Sequence, residues 1–78
     1  MTKREFEKLP RELVQHDSSN REYISTFRID LPDKRVVTMI KKTKIIAYNR
    51  YGKDSVAYLF RGRDYRNIDD LINAINDK

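Results

Sequence analysis

The sequence predicts an α+β domain: an antiparallel three- to four-stranded β-meander between an N-terminal helix, kinked or broken at Pro10, and a C-terminal helix. Three observations carry this. From Arg21 onward apolar residues alternate with polar ones, the period of a strand with one buried face. Short turn segments interrupt that pattern, and strands joined by short turns run antiparallel. Finally, Ile68, Leu71, Ile72 and Ile75 return to the i, i+3, i+4, i+7 spacing of a helical stripe.

The first element is read as helical. Thr2 and Glu5 have capping-box spacing, and Phe6, Leu9 and Leu13 share one helical face. Pro10 has no amide to donate, so the helix is expected to stop at Lys8 or Leu9. A second helical turn is expected from Pro10 to about His16, followed by a loop at Asp17-Ser-Ser-Asn20. Tyr23, Phe27 and Ile29 then mark a strand, and Leu31-Pro-Asp-Lys34 a turn in which Pro32 presets its own φ. Residues 35–41 form the next strand. Lys42-Thr43 is either a tight connection or the polar middle of one long bent strand. Ile45 to Arg50 and Ser55 to Arg61 complete the set, joined by a turn at Tyr51–Asp54 where Gly52 would supply positive φ. The last helix begins at Asn67, a good N-cap, with Asp69 and Asp70 in its first turn. Val36–Ile40 and Val56–Phe60 carry apolar side chains on both faces. The helices are therefore expected on opposite faces, or else one helix covers one face and a partner covers the other.

Seventy-eight residues make a single domain spanning 1–78, and such a chain buries only about 60% of its extended surface. It contains no Cys, which excludes a disulfide framework and Cys-based zinc sites and suits a reducing, cytoplasmic setting. The start is charged, without the apolar stretch of a signal peptide, and Val56–Phe60 is far short of the ~20 residues of a membrane span. No membrane association is expected.

Charge is unevenly placed. Between Arg35 and Arg66 there are nine Lys or Arg against Asp54 and Asp64, a net +7, whereas residues 1–34 are neutral and residues 67–78 carry −2. Clustered positive charge is the footprint of a polyanion-binding surface. The candidate nucleic-acid contacts are Lys41, Lys42, Lys44, Arg50, Tyr51, Lys53, Arg61, Arg63 and Arg66. Lys and Arg neutralise phosphates, and Tyr48 or Tyr51 can stack on bases. Tyr58 and Tyr65 are interleaved with them, and two of these four rings are expected in the core. Arg61-Gly-Arg63 has the composition of a minor-groove-binding tripeptide, and equally that of a turn. The alternative for the whole segment is a solvated rim that protects edge strands.

No catalytic set forms. His16, Asp17 and Ser18 or Ser19 are neighbours in sequence and cannot face one another, and His16 is read as a cation at a helix C-terminus. Asp30, Asp33 and Lys34 have the residue types of a metal-dependent nuclease but straddle the Pro32 turn. With one His and no Cys, neither a metal nor a cofactor is expected.

The element order, three strands followed by a helix, is similar in outline to the sheet-reading DNA-binding domains at the N-termini of some integrases. The expected function is thus a small, non-catalytic module binding DNA or RNA through residues 35–66. The alternative is a small inhibitor or adaptor, of the kind encoded by a phage or other mobile element, that meets an acidic surface of a host protein. A homodimer formed through an uncovered sheet face is compatible with either.

Overall fold

The computed structural model describes residues 1–47 and 50–77. Its elements run α1 (Lys3–Lys8), β1 (Glu12–Ser18), β2 (Glu22–Asp30), β3 (Val36–Ala47), β4 (Arg50–Phe60), β5 (Arg63–Tyr65) and α2 (Ile68–Asn76). The strands form one five-stranded antiparallel sheet in sequence order, a pure meander, so the α+β class and the flanking helices stand as expected.

Thr2 caps α1, its hydroxyl accepting from the Glu5 amide at 3.1 Å while donating to the Glu5 carboxylate at 3.1 Å. Leu9, which precedes Pro10, is extended at ψ 141° and ends the helix. The next element is a strand, correcting the expected second helical turn. Residues 12–18 pair with β2, and Leu13 and Val14 are 55% and 53% exposed. Apolar spacing alone puts Leu13 beside Leu9, but Pro10 breaks that face, and Val14, His16 and Asp17 are weak helix formers. At the β1–β2 turn, the Ser19 hydroxyl accepts from the Arg21 and Glu22 amides and takes the role of a cap.

Beyond Pro32 the chain turns back through Lys34, whose φ is 74°. Strand β3 runs unbroken through Lys42 and Thr43, so these are the middle of one long strand. The expected turn at Tyr51–Asp54 is a second correction: those residues lie inside β4, and Gly52 is not at positive φ. Part of the expected strand from Ile45 to Arg50, including Tyr48, lies outside the described residues. Phe60 pairs with Arg63, leaving Arg61 and Gly62 as the hairpin loop, at φ 53° and 75°. Positive φ at both central positions is what a type I′ turn requires. Asn67 caps α2 by accepting from the Asp69 amide at 2.8 Å.

The core sits at the end of the sheet nearest the β2–β3 turn. Phe6, Ile29, Val37 and Leu71 are wholly buried there, with Met39, Tyr58, Phe60, Ile72 and Ile75 around them. Because Phe6 and the α2 stripe share this one cluster, both helices lie on the same face. That overturns the expectation of opposite faces. Met1 ties the two helices together, its ammonium donating to Asn76 Oδ1 at 2.6 Å. Among the described residues the opposite sheet face carries no helix, and the end of the helix-bearing face away from the core is also bare.

Candidate functional site

Period two along β3 decides where the basic residues go. Val37 and Met39 point into the core, so Lys41 and Thr43 share the helix-bearing face, while Lys42 and Lys44 take the open one. The register agrees: Lys41 lies opposite Ser25 and Val56, and Lys42 opposite Ile24 and Ser55. Adjacent cations in sequence are thus on opposite surfaces.

Lys41 is also neutralised. Its Nζ sits 3.2 Å from Asp54 Oδ2, and the Thr43 hydroxyl donates to Asp54 Oδ1 at 2.7 Å. These two contacts, the Thr43 hydrogen bond first and Lys41 second, hold the Asp54 carboxyl below its usual 3.8. Among the described residues Lys41 is the one candidate cation in an ion pair.

The open face gathers a different group. Lys42 and Arg66 flank a shallow hollow with Ile40, Ser55 and Ala57. Lys44 continues the row toward the far end of the sheet, where β2 begins at Glu22 opposite Lys44 and the Ile45 amide donates to the Arg21 carbonyl at 2.8 Å. Past that point β3 and β4 run on alone as a two-stranded ribbon bearing Arg50, Tyr51 and Lys53. Ile46 is 72% exposed there, and its side chain passes 3.3 Å from the position a Cβ on Gly52 would take. Gly52 therefore clears space for Ile46 within the ribbon, which explains a glycine inside a strand.

Arg61 and Arg63 belong to neither group. They lie in the β4–β5 hairpin, around a hollow shared with Ala74 and Asp77 at the end of α2. Arg61 stands over the Phe60 ring at 5.6 Å, and Arg61 and Gly62 form the loop between β4 and β5. The nine candidates thus fall into four sets: Lys41, paired; Lys42, Lys44 and Arg66 on the open face; Arg50, Tyr51 and Lys53 on the ribbon, where Tyr51 turns to the helix-bearing side and meets Tyr23; and Arg61 with Arg63 beside α2.

One constellation escapes sequence reasoning. His16 is on β1, not at a helix end, and its Nδ1 shares a hydrogen bond with Ser25 Oγ at 2.9 Å. Its ring stacks against Tyr23, centroids 6.0 Å apart at 20°, and Tyr23 meets Tyr51 at 6.1 Å. The only sequence signal for this is the period-two placement of Tyr23.

The acids considered for metal chemistry are engaged elsewhere. Asp30 accepts from Arg28 at 3.0 Å and Asp33 from Arg35 at 2.6 Å. Among the described residues no three His, Asp or Glu side chains converge on one point, and no helix is long and apolar enough to cross a membrane. Comparison with family models, with curated proteins and with solved structures returned no match to the chain.

Proposed function

We propose that the chain is a cytoplasmic, non-catalytic nucleic-acid-binding module whose contact surface is the β3–β4 ribbon and the adjoining strip of the open face. The observation that carries this reading is the charge of the ribbon and of the strand segment leading into it. Residues 41–54 hold five Lys or Arg against one acid, and that acid is committed to Lys41. Lys42 and Lys44 stand at i and i+2 on one face, about 7 Å apart along the strand, and Arg66 extends the same strip. A two-stranded ribbon is narrow enough to enter a groove about 12 Å wide. Phosphate neutralisation needs no pocket, and the hollows of this surface are shallow.

Binding should weaken with salt as counterions are released, log affinity falling by about 0.9 per phosphate neutralised on duplex DNA. Fluorescence anisotropy with labelled duplex and single-stranded oligonucleotides, at about 50 and about 200 mM salt, measures this directly. The double variant K42E/K44E should bind at least about tenfold more weakly with a shallower slope. Unchanged affinity in that variant removes the ribbon as the surface. No binding of DNA or RNA at low salt removes the reading altogether.

A second reading, a protein-interaction module, is favoured by one observation. The open face keeps Val36 at 40% and Leu59 at 37% exposure beside half-buried Ile24 and Ile40. An apolar strip rimmed by Lys42, Lys44 and Arg66 suits an acidic protein surface, with charge steering the encounter. A stoichiometric protein retained from lysate after nuclease treatment supports it over the first.

A further inference from the structure

We infer that His16, Tyr23 and Tyr51 form a base-stacking platform on the bare end of the helix-bearing face, and that the preferred ligand is a single-stranded nucleic acid. This inference rests on the nucleic-acid reading above and names its substrate class.

The three rings come from β1, β2 and β4, and the register brings them into one row. His16 lies opposite Ser25, Tyr23 opposite Thr43, and Tyr51 opposite Ile45. Tyr51 therefore reaches across β3 to meet Tyr23, their centroids 6.1 Å apart at 41°. His16 lies nearly parallel to Tyr23, at 20°, and is fixed by its hydrogen bond to Ser25. None of the three belongs to the core cluster; Tyr51 is 59% exposed and His16 is exposed, while Tyr23 between them is half-buried. Neither helix reaches this end of the face.

Aromatic rings lying open on a sheet offer π-surface to bases of any sequence. Only unpaired bases can use it, because a duplex hides its base faces inside its own stack. Arg50 and Lys53 flank Tyr51 in β4, so two cations lie in the strand segment that carries the exposed ring, while Lys41 beside the row is already paired with Asp54. A purely structural role for the row, cross-strand pairing that stiffens the far end of the sheet, predicts a change in stability but no ligand preference. The two roles separate experimentally.

The chain has five Tyr and no Trp, so its intrinsic emission reports the tyrosines directly. The test is titration of the full chain with a short thymidine oligonucleotide and, separately, with a duplex of equal length. It is followed by tyrosine fluorescence and by anisotropy of the labelled strand. The expected result is quenching by the single strand and at least about tenfold tighter binding of it than of the duplex. Y51A, at an exposed position, should lose about tenfold to a hundredfold in single-strand affinity, a larger loss than it shows toward the duplex, and Y51F should bind as the parent does. H16A supplies an independent variant with the same expected direction, and circular dichroism checks that each is folded. Equal binding of both polymers, or a folded Y51A that binds the single strand as the parent does, overturns the platform and leaves the ribbon reading in place. Binding of neither polymer overturns both.

Discussion

Phe6 and Tyr58 meet edge to face, ring centroids 5.9 Å apart and planes at 74°. That contact anchors α1, a helix of six residues, which is too short to persist without tertiary packing. Phe6 is wholly buried, so F6A should destabilise the fold by about 3–5 kcal/mol in urea denaturation. L13A, at a residue 55% exposed, should stay within about 0.5 kcal/mol of the parent. A large loss for Leu13 would place β1 in the core instead of at a bare edge.

That pair also shows what is and is not legible in the sequence. The α2 stripe, its Asn67 cap and the meander order can be read because they rest on local spacing and short turns. Leu13 is misplaced by spacing because Phe6, Leu9 and Leu13 fit a helix, whereas the pairing of residues 12–18 with β2 is non-local. Three-residue β5 carries too short a pattern to read. The split of Lys41 from Lys42 is available from period two once residues 36–47 are known to be one strand. The row of His16, Tyr23 and Tyr51 depends on register across four strands, including the shift between Thr43 and Ile45, and no linear spacing encodes it.

Asp54 gives the fold an acid-sensitive contact. Its native pKa is lowered by Thr43 and Lys41, so in the window below 3.8 the unfolded chain binds more protons than the folded one. The contribution is therefore complete above the unfolded value and is lost as pH falls through the native one. Asp33, lowered by its hydrogen bonds to Arg35, adds to the same slope. Urea midpoints measured between about pH 5 and about pH 2 should fall on acidification, less steeply in D54N and in T43V. A slope identical to the parent's in both variants would show that Asp54 is not held as described.

Gly62 tests the backbone by itself. At φ 75° it lies in the left-handed region, yet a Cβ built there would meet nothing within 4 Å. G62A should therefore cost about 1–2 kcal/mol, from its Cβ against its own local backbone and not against any neighbour in the fold. Arg61, also at positive φ, should tolerate R61N with little loss, because Asn-Gly is the preferred pair for this loop. Thermal melts of the two variants separate these outcomes, and a neutral G62A would contradict the turn geometry.

Arg35 joins the β2–β3 turn to the last turn of α2, and it is the remaining test. Its Nη2 donates to the Ile75 carbonyl at 2.9 Å, its Nε donates to Asp33 at 2.6 Å, and the guanidinium lies 5.3 Å over the Phe60 ring. Helix α2 has no basic residue of its own in that turn, so the cation facing its C-terminal dipole arrives from outside the helix. A hydrogen bond from a charged group contributes about 1.5–3 kcal/mol and a cation–π contact about 0.5–1, partly offset here because the side chain is 29% exposed. R35A should thus destabilise by about 2 kcal/mol and should speed amide exchange in the last turn of α2. R35K should recover less than half of that, because an ammonium cannot bond the carbonyl, pair with Asp33 and cover the ring at once. Removing Arg35 should also let the Asp33 carboxyl titrate back toward 3.8, a shift that an NMR titration reads independently of stability. If Asp33 is unmoved in R35A, the guanidinium is not the group that holds it.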